Sequence, residues 1–150
     1  MKGENIMIIK QISIFVENKA GRLAEITETI GKAGIDIRAL SIADTTDFGI
    51  LRLIVDKPEE AVLTLKEAGL TVSITNVIAV GIDDTPGSFS VPMRILADAG
   101  IDVEYMYAFI SRDTKKAYVI LRVADNDVAA KALTDKGVTL LDETGFYGMM

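Results

Sequence analysis

Two short stretches of the chain combine residue types that bind small charged molecules. The first is the run NKAGRL at residues 18–23, and the second is DTPGSF at residues 84–89. A glycine turn that enters a helix leaves backbone amides unbonded at the positive end of the helix dipole, which suits a carboxylate. The side-chain oxygen of Asn18 or Asp84 can accept a hydrogen bond from an ammonium group. Both stretches therefore fit an amino-acid zwitterion.

A purely structural explanation covers the same residues. Asn18 and Asp84 could simply shape their turns and cap the helices that follow, since Asn and Asp favour both positions. The residue types leave capping and ligand contact as open alternatives.

The two stretches are not equivalent in charge or in helix chemistry. Lys19 and Arg22 add positive charge to the first, which would favour a carboxylate there. Pro92 falls inside the helix predicted to follow the second stretch, and proline is easily tolerated only in the first turn of a helix. This helix therefore either starts late, with Ser90 as its N-cap, or is kinked. We expect the two sites to differ, and the sequence leaves open whether both bind a ligand.

The stretches stand at the same place in an internal repeat. Gly87 follows Gly21 by 66 positions, and Gly100 follows Gly34 by the same number. Alternating apolar residues predict strands, and apolar residues spaced by three and four predict helices ended by glycine. The predicted strands are residues 8–17, 36–43, 50–55, 70–74, 77–82, 101–109, 118–123 and 138–141. Each half thus reads strand, helix, strand, strand, helix, strand.

This order predicts an α+β fold of two ferredoxin-like βαββαβ units, at residues 1–74 and 75–150. Right-handed crossovers place both helices of a unit on one face of an antiparallel sheet. Alternating Tyr105, Tyr107 and Phe109 predict a strand whose aromatic side chains cover the open sheet face or an interface.

Composition excludes several classes of chemistry. The chain has no cysteine and no histidine, which removes disulfides, thiolate zinc sites and imidazole bases. Its net charge of −6 repels nucleic acid, and the one basic run, residues 112–116, is typical of a hairpin turn. No apolar run is long enough to span a bilayer. We expect a soluble, cytoplasmic protein with no cofactor, no metal and no membrane partner.

Taken together, the repeated motif resembles the ACT domain. The strand ending in D/N-x-x-G, the apolar helix and the following G-I-D-I or G-I-D-V occur in both halves, at residues 18–21 with 34–37 and at residues 84–87 with 100–103. The resemblance implies a small ligand-binding regulatory module that pairs with its like and binds an amino acid or related metabolite where a first turn meets a neighbour's second strand. It places residues 18–23 against 101–103, and residues 84–89 against 35–37. The implied contacts are Asn18, Lys19, Ala20, Gly21, Arg22, Leu23, Ile35, Asp36, Ile37, Asp84, Thr85, Pro86, Gly87, Ser88, Phe89, Ile101, Asp102 and Val103.

The predicted function is a non-catalytic, allosteric regulator, a homodimer whose ligand-dependent change is read by a regulated enzyme or another regulator. One alternative is an assembly module that binds no metabolite. Another is a small acylphosphatase-like hydrolase, in which Arg22 and Asn18 would cradle phosphate, although no activated nucleophile is visible.

Overall fold

The computed structural model describes residues 8–44, 47–110 and 116–143. The predicted hairpin turn at residues 112–115 lies outside these ranges. The elements are β1 (Ile9–Glu17), α1 (Arg22–Lys32), β2 (Ile37–Asp44), β3 (Phe48–Val55), α2 (Pro58–Glu67), β4 (Thr71–Asp83), α3 (Ser90–Asp98), β5 (Tyr105–Ile110), β6 (Lys116–Arg122), α4 (Asn126–Asp135) and β7 (Thr139–Leu141).

The chain divides into two compact units, hereafter the first unit (residues 10–75) and the second unit (residues 76–150 with residues 1–9). The strand order is β2-β3-β1-β4 in the first unit and β5-β6-β4-β7 in the second. In the first unit β3 runs antiparallel to β1 and β2, and in the second unit β4 runs antiparallel to β6 and β7. The predicted α+β fold of two ferredoxin-like units is confirmed.

The core of the first unit lies between one sheet face and two helices. Strand residues at every second position face α1 and α2, as the alternating sequence predicts. The buried cluster is Ile12, Ile14, Val16, Ile26, Ile30, Ile35, Leu51, Leu53, Val55, Ala61 and Leu65. Burying each large side chain of this set stabilises the fold by roughly 1.5–3 kcal/mol.

The second unit repeats this arrangement with α3 and α4. Its buried cluster is Ile78, Val80, Ile82, Leu96, Val119, Leu121, Val123, Ala129, Leu133 and Leu140. Six apolar residues whose spacing predicts a buried helix stripe are exposed instead: Leu23, Phe89, Val128 and the C-cap alanines Ala33, Ala68 and Ala99. Leu23 and Phe89 stand at the helix starts, before the buried stripes begin, and Val128 is one position off the stripe formed by Ala129 and Leu133.

Two strand predictions are wrong in detail. The separate strands expected at residues 70–74 and 77–82 form one continuous β4, because the run between them has no Gly or Pro and is rich in β-branched residues. The strand expected from residue 101 begins at Tyr105, since Ile101 and Val103 pack against the helix core before the ladder starts. Beyond that point Tyr105, Tyr107 and Phe109 alternate with exposed residues, as predicted.

Candidate functional site

The first turn connects the end of β1 to the start of α1 in four residues. Its backbone is held by two short hydrogen bonds, from the Lys19 amide to the Glu17 carbonyl (2.9 Å) and from the Arg22 amide to the Lys19 carbonyl (3.2 Å). Gly21 is the N-cap residue with φ of +86°, a left-handed conformation that favours glycine. The chain can therefore enter the helix abruptly.

This abrupt entry leaves amides unbonded at the start of α1. Within the described residues, the backbone N–H groups of Gly21, Leu23 and Ala24 donate no hydrogen bond, while that of Glu25 donates to the Gly21 carbonyl at 3.0 Å. The open amides stand at the positive end of an 11-residue helix. They form a place where a carboxylate can bind.

The positive charge expected at the first turn is offset by carboxylates. The Arg22 guanidinium lies 2.8 Å from the Glu17 carboxylate and 3.6 Å from that of Glu25, and the Lys19 ammonium lies 3.9 Å from Glu17. The hydrogen bond from Arg22, and then the charge of Lys19, hold the pKa of Glu17 below its usual value. Arg22, the phosphate ligand of the hydrolase alternative, is therefore committed to two carboxylates of its own chain.

The N-cap residue of α1 is Gly21 and not Asn18. The helix has no side-chain cap hydrogen bond. The backbone N–H of Asn18 donates to the Asp47 carbonyl (3.1 Å). The side-chain oxygen Oδ1 of Asn18 would lie 3.7 Å from a Cβ placed on Gly49. Asn18 thus ties the turn to the start of β3. The sequence analysis missed Asp47 and Gly49, which only the β1–β3 register could have indicated.

The second turn is more closed than the first. The amides of Ser88, Ser90 and Val91 donate to carbonyls three residues earlier. The helix start is late, as predicted, and Pro92 lies in its first turn. The N-cap, however, is Phe89 and not Ser90, whose hydroxyl donates to the Gly87 carbonyl at 2.7 Å.

Asp84 does not cap α3 either, because this helix also has no side-chain cap hydrogen bond. The Asp84 side chain is exposed. The residues implied next to it, Thr85, Pro86 and Gly87, are exposed as well, and the Thr85 hydroxyl bonds to that of Ser88.

The second-strand contacts implied by the resemblance are split between core and surface. Their apolar side chains pack in the two cores: Ile35 and Ile37 in the first unit, and Ile101 and Val103 in the second. Asp36 and Asp102 are exposed, and the Asp36 amide donates to the Asp56 carboxylate at 2.9 Å. The predicted pairing of each turn with the other unit's second strand stays a prediction.

A cavity of about 220 Å³ opens beside the second turn, inside the second unit. It is lined in part by Asp83, Ser88, Pro92, Lys116, Val138 and Thr139. The Lys116 ammonium lies 3.2 Å from the Asp83 carboxylate, which is its cross-strand neighbour. Of these residues the sequence analysis named only Ser88 as a site residue.

The family model described as an ACT domain pair matches residues 7–150. The chain belongs to the ACT domain family. The resemblance of the repeated motif is thereby confirmed over almost the whole chain. Membership of the ACT domain family supports a regulatory role that depends on binding a small molecule.

Solved structures share the fold of this ACT domain pair. A crystal structure of a protein from Bacteroides thetaiotaomicron matches with a TM-score of 0.90 and 40% identity, over 96% of this chain and 99% of its own. The ligand-free regulatory subunit of aspartate kinase from Thermus thermophilus matches with a TM-score of 0.63 and 16% identity, over 91% and 98%. At that identity the likeness shows the fold alone. No curated protein matches the sequence.

Two further features of this ACT domain pair concern metals and membranes. Across residues 8–44, 47–110 and 116–143, no group of three or more acidic side chains is placed to hold a metal ion. No helix within those ranges is both long and apolar enough to cross a bilayer.

Proposed function

We propose that this ACT domain pair is a non-catalytic regulator that binds an amino acid or a closely related metabolite at its turn-to-helix corners, residues 18–23 and 84–89. The open amides of Gly21, Leu23 and Ala24 carry the proposal, because they offer several neighbouring donors to a carboxylate. Ligand binding would favour one conformation of the chain, and a regulated enzyme or regulator would recognise it.

A second observation supports a ligand with an apolar part. Leu23 and Phe89 occupy the same position in the repeat, two residues after the turn glycine, and both side chains are exposed, by 43% and 36%. An apolar side chain next to open amides matches the two ends of an amino acid. The regulatory subunit of aspartate kinase shares this fold at low identity, which is consistent with control of an enzyme by a metabolite.

The test is calorimetry and thermal unfolding with each of the twenty amino acids. A ligand at 100 times its dissociation constant stabilises the folded chain by about 2.7 kcal/mol, which a melting curve detects readily. Ala24→Pro deletes one open amide at the third helical position, where Pro92 stands in α3, and should weaken binding without unfolding the helix. Ala24→Gly keeps the amide and serves as the control.

Two results would contradict the proposal. One is the absence of heat and of any melting shift with all twenty amino acids. The other is equal loss of affinity in Ala24→Pro and Ala24→Gly, because that pattern would trace the effect to helix stability and not to the amide.

A ligand-independent assembly module is the second candidate, and the edge strand β2 favours it. Among the residues that the structure describes, β2 pairs only with β3, and Leu40 and Ile42 on this strand are 55% and 46% exposed. An unpaired apolar edge is a template for pairing with another strand, so we propose that a second copy of this chain adds here to form a homodimer. Light scattering should give a dimer for the wild type and a monomer for Leu40→Lys, with and without amino acids.

A further inference from the structure

The two copies of the repeat differ at a position that lines the cavity in the second unit. Glu17 and Asp83 are the last residues of β1 and β4, and they are 66 positions apart. Arg22 and Ser88 are also 66 positions apart. In the first unit Arg22 reaches back and bonds to Glu17. In the second unit a short serine stands in that place, and Asp83 faces the cavity instead of a guanidinium.

The short last strand contributes to the same space. β7 begins at Thr139, which pairs with Gly81, so the last two residues of β4 have no β7 residue beside them within the described chain. The α3 helix begins three residues after Gly87, whereas α1 begins directly after Gly21. Residues of the first α3 turn, Val91 and Pro92, line the cavity together with Asp83.

Charge and shape of the cavity match one class of ligand. Asp83 and Lys116 line it together, and within the part of the chain that the structure describes each is paired with the other alone, in a weak, exposed ion pair. A zwitterion inserted between them would give its ammonium to Asp83 and its carboxylate to Lys116, so that both charges stay paired. Val91, Pro92 and Val138 supply an apolar wall. The cavity volume of about 220 Å³ leaves room for an amino acid.

We infer that the second unit binds one small aliphatic amino acid in this cavity, with the ligand ammonium taking the place that the Arg22 guanidinium occupies in the first unit. This inference rests on the proposed function and specifies its ligand class and its unit. It also explains why the repeat has diverged: the first copy supplies its own cation to the strand-end carboxylate, and the second copy takes the cation from the ligand.

The experiment is calorimetry of the full chain with L-valine, L-leucine and L-isoleucine. The titration should include one site per chain that belongs to this cavity. Isovalerate and isobutylamine each carry one of the two charges. Each should bind at least about tenfold more weakly than the amino acids, because it leaves one side of the ion pair without a partner.

Two variants test the location. Thr139→Tyr fills the cavity from an exposed strand position where an aromatic side chain is well tolerated, and Ser88→Arg transplants the first-unit side chain. Both should remove this one site per chain from the titration while circular dichroism stays unchanged. Thr71→Tyr is the matched control, since Thr71 follows its helix-ending glycine by two residues just as Thr139 does, and it should bind as the wild type does.

The outcomes separate this inference from the proposed function. Undiminished binding to Thr139→Tyr and Ser88→Arg would overturn the cavity site while leaving amino-acid binding in place. Equal affinity for isovalerate and L-leucine would overturn the zwitterion. No heat with any of the twenty amino acids would remove both proposals.

Discussion

Two glycines ten residues apart should respond in opposite ways to the same substitution. Gly21 precedes α1 with φ of +86°, and a Cβ added there would meet no atom within 4 Å. Alanine at this position therefore suffers no clash and only the strain of a left-handed backbone, which costs about 1–2 kcal/mol. We expect Gly21→Ala to lower the free energy of unfolding by that amount.

Gly31 lies in the last turns of α1 and is not one of the glycines with positive φ. A Cβ added to Gly31 also meets no atom within 4 Å. Alanine restricts the unfolded chain more than glycine does and favours the helix, which is worth about 0.5–1 kcal/mol. Gly31→Ala should therefore stabilise the protein. The two substitutions should differ by about 1.5–3 kcal/mol, although each adds the same methyl group to open space.

Urea unfolding followed by circular dichroism measures both values, with a thermal scan as the second readout. For a chain of this size, 1 kcal/mol corresponds to roughly 2–4 °C in Tm. The sites are about 15 Å apart along the helix, so the double variant should equal the sum of the single ones. A neutral Gly21→Ala would show that the turn is not held in the left-handed conformation, and a destabilising Gly31→Ala would show a packing role for Gly31.

Three further substitutions follow from the geometry. Gly81→Ala puts a Cβ 3.2 Å from the buried Tyr118 ring and should destabilise the chain by about 1–3 kcal/mol in urea unfolding; wild-type stability would contradict the close approach. Asp125→Ala removes the side-chain acceptor for the backbone N–H of Val128 at the start of α4. It should lower the free energy of unfolding by about 1 kcal/mol in the same urea experiment, and an unchanged value would show that water replaces the cap. Arg22 lowers the folded-state pKa of Glu17, so the Arg22–Glu17 ion pair stabilises the fold at pH values above the usual glutamate pKa. This stabilisation is lost as the pH falls through the lowered pKa of the folded state. The stability gap between wild type and Glu17→Gln should therefore close in acid, and a gap that widened would refute the assignment.

The element order was predictable because its signals are local. Alternation along β1, the i and i+4 spacing of Ile26 and Ile30, and the glycine after each helix all act within a few residues. The late start of α3 followed from Pro92 alone. The exact strand ends were not predictable in this way, because β4 continues through residues that would also tolerate a break.

The partners of the turn residues depend on register, which the sequence does not display. Arg22 and Glu17 are five positions apart on different elements, so their ion pair requires the turn geometry of Gly21. Lys116 meets Asp83 only because β4 and β6 align at those residues. A charged residue near a turn was therefore interpreted as available to a ligand when the fold had already given it a partner.

Divergence between the copies extends beyond the turns, and this bears on how many sites the chain can have. On the first sheet, away from the helices, the fully buried Gln11 bonds to Ser13, whose hydroxyl lies 3.4 Å from that of Thr75. The positions 66 residues later are Val77 and Ala79, both buried and apolar. Polar groups are costly to bury and are stable only when bonded, so these positions cannot be exchanged between copies without loss. A repeat in sequence therefore encodes the fold twice here, while the residues that surround a ligand are free to differ, so two copies of the fold do not by themselves imply two equal sites.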